Sequence, residues 1–246
     1  MLVLKSSLLN RFPEIIFGFS TKIGLKRQHP YFFNMSLSVN DSKENVLHNR
    51  RYFFSRLGLS DSSVATQKQV HADHVTFIDE GVNCGESDAM ITDMTNLGLA
   101  ISSADCPAIF LFDIEQKVIA AVHSGWRGTE KKILLKVLTK LVRDFNSNPN
   151  NITAYIAPSI SQKNYEVGEE VASLFEEKYS VNKNSKYLLD LQKINRDLML
   201  KFGMLKKNIQ VSSLCSYEMR DLLHSYRRDG EISGRAFGII AMKNKL

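Results

Sequence analysis

Cys106 and His123 stand at opposite ends of two apolar runs, Pro107 to Asp113 (PAIFLFD) and Lys117 to His123 (KVIAAVH). Each run has the length and composition of a buried strand, and the short polar link Ile114 to Gln116 suits a hairpin-type connection. Antiparallel pairing would set the start of one strand beside the end of the other, making Cys106 and His123 neighbours across seventeen positions. Three roles are open to such a pair. It could be a cysteine nucleophile activated by histidine, as in hydrolases and deamidases. It could be part of a zinc site that takes a third ligand from elsewhere. Or it could be a buried thiol and a satisfied imidazole with structural roles only. Gly-Trp-Arg-Gly follows His123 at Gly125 to Gly128, and both glycines let backbone come close to a ligand. Trp126 offers a stacking face for a nucleobase or a packing face for the following helix, and Arg127 suits a phosphate or carboxylate. His71 and His74 are three apart on a loop, but with no Cys or carboxylate beside them the ordinary outcome for either is a hydrogen-bonded structural histidine.

The elements that must position these side chains follow from pattern. Ile15 to Ser20 (IIFGFS) reads as a short strand, Thr21 to His29 as a basic loop, and Asn34 to Asn40 (NMSLSVN) as a weakly alternating strand. Asp41 opens a helix, with Glu44 in capping-box spacing and Val46, Leu47, Phe53, Phe54 and Leu57 at helical intervals before a stop at Gly58. Arg50 and Arg51 fall in its middle, where a solvated face is the ordinary reading. Ala65 to Asp79 gives two short extended runs around a turn at Ala72-Asp73, and Ser87 to Thr92 and Leu97 to Ser103 read as strands leading into the central pair. Glu130 to Phe145 is the clearest helix, with Ile133, Leu134, Val137, Leu138, Leu141, Val142 and Phe145 in one stripe. Asn146 to Asn151 (NSNPNN) is a turn cluster and the best hinge candidate. A strand over Ile152 to Ala157, amphipathic helices near Glu169 to Tyr179 and Leu188 to Phe202, and a last strand over Ala236 to Met242 complete the pattern. Strands and helices mix without a strict βαβ alternation, which makes the class α+β.

Composition narrows the function classes. The chain has 246 residues, 43% of them hydrophobic and 24% charged, enough for a sizeable core. No apolar run approaches the roughly 20 residues of a membrane span. The N-terminus lacks the apolar length and cleavage site of a signal peptide, so cytoplasmic residence is expected. Cys84, Cys106 and Cys215 are odd in number and widely spaced, which argues against a disulfide framework. The net charge of +6 is spread along the chain and suits a small anionic substrate. No recognition motif or dense basic run points to nucleic acid.

Several motifs occur together and in order: QVH at Gln69 to His71, SADC at Ser103 to Cys106, HSGWRGT at His123 to Thr129, APSI at Ala157 to Ile160, YEVG at Tyr165 to Gly168, and SYRRDG…SGR at Ser225 to Arg235. With them the chain resembles the YfiH-like family, long labelled polyphenol oxidase or laccase-domain proteins and described as purine nucleoside phosphorylases. The resemblance spans residues 1–246 as one catalytic domain. It implies a four-layer α/β/β/α arrangement of mixed sheets and a Zn2+ ion held by His71, Cys106 and His123, with the fourth position open as in catalytic zinc sites. It also makes Arg50, through a short "NR" match, and Arg235 candidates for the phosphate or substrate side. The N-terminal motif departs from the family pattern, with Lys22 and a single Gly24 where Arg and paired glycines are usual.

A four-copper laccase needs about ten imidazoles, partly as His-x-His pairs, whereas this chain has six histidines and no such pair. One soft thiolate with two imidazoles suits zinc. What the resemblance implies is phosphorolysis of adenosine, inosine, guanosine and methylthioadenosine to base and ribose 1-phosphate, with accessory deamination of adenosine. The competing expectations are a metal-independent Cys-His hydrolase or deamidase, and a non-enzymatic partner protein of cell-envelope or division assemblies.

Overall fold

Every residue from Ala108 to Asp113 and from Val118 to His123 is buried, which is why both segments read as continuous apolar runs and not as an alternation. In the computed structural model, which describes residues 1–79 and 82–244, the strands are β1 (Val3–Leu4), β2 (Ile15–Ser20), β3 (Val64–Lys68), β4 (Val75–Phe77), β5 (Asn83–Glu86), β6 (Ala89–Thr92), β7 (Gly98–Ser103), β8 (Ala108–Asp113), β9 (Val118–His123), β10 (Ile152–Ile156), β11 (Glu166–Val167), β12 (Ser180–Lys183), β13 (Lys186–Leu189), β14 (Ile209–Val211) and β15 (Ala236–Met242). The α-helices are α1 (Lys43–Arg56), α2 (Trp126–Glu130), α3 (Ile133–Phe145), α4 (Glu169–Ala172), α5 (Leu191–Lys201) and α6 (Tyr226–Asp229).

Two six-stranded mixed sheets face each other, one in the order β1-β2-β15-β7-β3-β5 and the other β14-β10-β8-β9-β6-β4. Successive side chains of a strand point to opposite faces, and β8 uses both of its faces. Phe110 and Phe112 enter the interior between the sheets with Phe17, Phe19, Leu99, Ile101 and Ile240, where the rings of Phe17 and Phe110 meet edge-on at 5.0 Å. Ile109 and Leu111 face outward with Ala120 and Val122, against Ile133, Leu134, Val137, Leu138 and Leu141 of α3. On the far side of the first sheet, Phe237 and Ile239 pack with Phe53, Phe54 and Leu57 of α1. The result is an α+β fold of four layers, α/β/β/α, with the Cys-His hairpin in the second sheet. A three-stranded sheet, β11-β13-β12, lies apart from both.

Several sequence expectations need correction. Asn34 to Asn40 is irregular, because the Asn34 side chain closes the chain on itself: its amide donates to Ser36 O and Asp41 Oδ2, and its oxygen accepts from Ser36 N. Asp41 is thereby engaged, and Ser42 caps α1 by accepting from Asn45 N. The helix expected over Glu130 to Phe145 is split, since Lys132 takes a left-handed φ of 59° between α2 and α3. Glu169 to Tyr179 forms only the single turn of α4 and a 3₁₀ turn at Glu177–Tyr179, because Val167, Ala172, Tyr179 and Leu189 fold around one another into a small core of their own. Leu188 and Leu189 belong to β13, and α5 begins only after Asp190, whose side chain accepts from Lys193 N. The proposed hinge at Asn146 to Asn151 is a tight connection between α3 and β10, with Asn146 as left-handed cap and a 3₁₀ turn after it. Since β10 pairs directly with β8, this connection joins neighbours in the stack.

Candidate active site

The hairpin register sets Ala108 opposite His123. Cys106, two residues earlier, therefore lies against the end of β9, and the loop between β3 and β4 brings His71 to the same point. The potential ligand atoms of His71, Cys106 and His123 all lie within 4.8 Å of one another, and the two imidazole rings meet edge-on with centroids 4.8 Å apart. His123 is buried, Cys106 half-buried and His71 exposed, so the cluster opens outward on the His71 side. Gly125 forms its floor: a Cβ there would sit 3.0 Å from Cys106 Sγ and 3.5 Å from His71 Cδ2. His74 is not in the cluster; its carbonyl instead accepts from Asp88 N and Ala89 N.

Asp88, which sequence reasoning missed, is fully buried behind the cluster. Its Oδ1 accepts from His123 Nδ1 at 2.8 Å and His71 N at 3.1 Å, and its Oδ2 from Val70 N at 3.2 Å and Ala72 N at 2.7 Å. An ionised carboxylate only accepts, so His123 carries its proton on Nδ1 and leaves Nε2 for the cluster. Burial acts to raise the Asp88 carboxyl, but His123 and the backbone N–H groups outweigh it and hold the group below the usual range. On the thiol side, burial pushes Cys106 up, while hydrogen bonds and charge from His123 and His71 bring it down to about 6. Burial acts to lower His123, and Asp88 with the Cys106 thiolate raises it to about 9. The metal-free pair is thus a thiolate beside an imidazolium.

The chain around Cys106 is fixed independently. Gln69 donates to Ser102 O at 2.9 Å and accepts from Ser102 N at 2.7 Å. Ser103 Oγ donates to Cys106 O at 2.6 Å. Asp105 sits at a left-handed φ of 92°, sparsely populated for a residue with a side chain. Its carboxylate is held there by Ser216 Oγ at 2.6 Å and Arg227 N at 2.7 Å. Tyr165 is a further neighbour: burial raises its phenol, the nearby Cys106 thiolate adds to that, and Arg227 and Arg127 oppose it.

Of the other sequence candidates, Arg235 lies close enough to the thiol to feel its charge. Its Nη1 donates to Ser233 O at 2.6 Å and Gly234 O at 3.1 Å; burial lowers its pKa, and Asp105 and Cys106 act in the opposite direction. Arg50 lies on the outer face of the first sheet, its guanidinium 4.7 Å from the Phe237 ring, where burial brings it down to about 10. It is no ligand neighbour, but it is linked to Arg235: Arg50 Nε donates to Met35 O at 2.7 Å, and Met35 N donates to Arg235 O at 2.9 Å. Trp126 packs on the small core with Tyr165, and one face of its ring is covered by Arg127, 4.3 Å away. Asp88 and Asp105 had one legible signal each. Both are acids at the edge of apolar strands, where burial demands partners.

A family model described as multi-copper polyphenol oxidoreductase laccase matches residues 16–243. The chain belongs to that family. Among curated relatives, "Purine nucleoside phosphorylase YlmD" of Bacillus subtilis is 32% identical, covering 94% of this chain and 89% of its own length. "Adenosine deaminase RL5", from an unknown prokaryotic organism, is 30% identical over 83% of this chain and 84% of that one. Among solved structures, hypothetical protein YfiH of Bacillus licheniformis superposes with a TM-score of 0.90 at 29% identity, covering 94% of each chain. The family label speaks of several coppers, yet among the described residues only one group of three potential ligands assembles.

Proposed function

We propose that this chain is a zinc-dependent purine nucleoside phosphorylase with an accessory adenosine deaminase activity, acting in the cytoplasm on adenosine, inosine, guanosine and methylthioadenosine. The observation that carries the reading is the open His71–Cys106–His123 donor set, in a family whose curated relatives bear both names. The donors suit the ion. Bonds of about 2.0–2.3 Å to nitrogen and sulfur bring zinc ligands to within roughly 4 Å of each other, so a set spread over 4.8 Å needs only a small contraction. Bound zinc would supply a Lewis acid with one position left for a further ligand.

In phosphorolysis a phosphate oxygen forms a bond to C1′ as the C1′–N9 bond breaks, and the electron pair leaves with the purine, which takes up a proton. The chain must therefore hold an anion beside the ribose. Arg235 is suited to this: two carbonyls fix its Nη1, which leaves the other edge of the guanidinium for a bidentate oxyanion. Arg50 supports it through the shared Met35 backbone. Trp126 and Arg127 act as one stacked unit on the base side. In deamination water adds at C6 of adenine and ammonia leaves, so no phosphate is consumed.

Inosine separates the two reactions because it has no amino group at C6. Zinc-loaded protein is expected to give hypoxanthine and ribose 1-phosphate from inosine, at a rate that rises and saturates with phosphate. Free ribose formed equally well without phosphate would make the chain a hydrolase. No cleavage of any purine nucleoside would favour a binding protein. One observation favours the metal-independent Cys-His hydrolase as second reading: the thiol at about 6 beside an imidazole at about 9 is also the ion pair of a cysteine nucleophile. Rapid alkylation of Cys106 in fully metal-loaded protein would support it.

A further inference from the structure

Two of the three donors in the cluster depend on a single group that is not itself a donor. We propose that Asp88 is the positioning residue of the metal centre, one buried carboxylate that orients the His123 ring and fixes the loop carrying His71. The inference rests on the metal part of the reading above and is independent of the nucleoside chemistry.

The His71 side of the argument begins with backbone. His71 adopts a left-handed φ of 57°, a conformation that costs a residue with a Cβ unless its surroundings impose it. Here three consecutive amides, Val70, His71 and Ala72, converge on the two oxygens of Asp88. Successive N–H groups curled around an anion in this way form a nest. Remove the carboxylate and three donors lose their acceptor together, so the turn that aims the His71 ring loses its reason to form.

The His123 side is a matter of ring orientation. Asp88 Oδ1 takes the Nδ1 proton at 2.8 Å, and Asp88 O accepts from His123 N at 2.8 Å. Ring and backbone are thus gripped by the same residue. That fixes the tautomer and presents Nε2 to the ion, and a carboxylate behind the ring makes the imidazole a better donor. Cys106 is held by a separate apparatus, Ser103 and Asp105, so disturbing Asp88 should loosen the two histidines and spare the thiol. Asparagine is the informative substitution. It keeps the shape, but whichever way it turns, its NH2 faces an N–H or the Nδ1–H that the carboxylate accepted.

Three measurements test this. In metal-free Asp88→Asn, hydrogen exchange of the Val70, His71 and Ala72 amides should accelerate while the β8–β9 amides keep their protection. Chelator competition should show zinc affinity lower by roughly 10- to 100-fold. In unsubstituted, zinc-loaded protein with ¹⁵N-labelled histidine, His123 should carry a proton on Nδ1 and be metal-bound through Nε2; this needs no variant and decides the matter if Asp88→Asn does not fold. Unchanged zinc affinity in a folded Asp88→Asn protein overturns the proposal, even if amide exchange has changed. So does a His123 bound through Nδ1. None of these readouts uses a nucleoside, so failure here is distinct from failure of the phosphorylase reading.

Discussion

His123 ends a strand whose six residues are all buried, and its ring is gripped from behind by a carboxylate. Arg235 is held instead by two carbonyls of its own turn, Ser233 O and Gly234 O. The difference runs through the whole site. The donor corner joins the end of β9, the segment before β8 and the β3–β4 loop, and hydrogen bonds to backbone and ring set its geometry. The arginine wall proposed above is assembled from α1, α2 and the segment after α6: Arg50 is joined to Arg235 through Met35, and Arg127 lies separately on Trp126. A rigid corner can select an ion by position, while a wall of separately mounted cations can adapt to a ligand. Substitutions in the two regions should therefore fail in different ways.

The largest effect is expected in the corner. Replacing His71, Cys106 or His123 by alanine removes a donor outright, and zinc affinity should fall by more than about 100-fold, beyond what loss of a supporting partner costs. Elemental analysis of purified variants checks this, and near-stoichiometric zinc in any of the three would remove that residue from the ligand set.

A second test exploits the charge state of the empty corner. Thiolate reactivity in metal-free protein should be retained as pH falls and be half-lost near about 6, whereas an unperturbed thiol is half-lost near 9. His123 stays charged up to about 9. Between those limits zinc uptake should displace a proton from His123 and none from Cys106. Alkylation rates across pH, and calorimetry in buffers of different ionisation enthalpy, read the two quantities. A half-loss near 9 would mean that the imidazoles do not stabilise the thiolate.

The smallest effect is expected in the wall. Arg235→Ala should keep its zinc and lower kcat/KM for inosine by roughly 10-fold, with part of the loss recovered at high phosphate. Loss of zinc in that variant would erase the distinction between corner and wall.

The hairpin could be read from sequence because burial on both faces leaves an uninterrupted apolar signature, and antiparallel pairing then forces Cys106 and His123 together. His71 was a different matter. Residue types alone could not separate it from His74, three positions on in the same loop, and only the QVH resemblance did so. Asp88 offered only its place at the edge of an apolar strand; its role needs three amides and a ring from two other segments, none of which announces a carboxylate partner. The β12–β13 hairpin was missed for a simpler reason: Ser180 to Lys183 is mostly exposed and polar, and its sole local signal is the Asn184-Ser185 pair, both at positive φ as a two-residue hairpin turn requires.

The small core under β11–β13 bears on time as well as on shape. Val167, Ala172, Tyr179, Leu189, Leu191 and Ile194 cluster separately from the two-sheet interior, and Trp126 and Tyr165 rest on them. A unit with its own few apolar contacts opens locally at less cost than the whole chain unfolds. Trp126 and Tyr165 should thus yield and re-form while the strands beneath Cys106 and His123 stay closed, and amide exchange in β11–β13 should outpace that in β8 and β9.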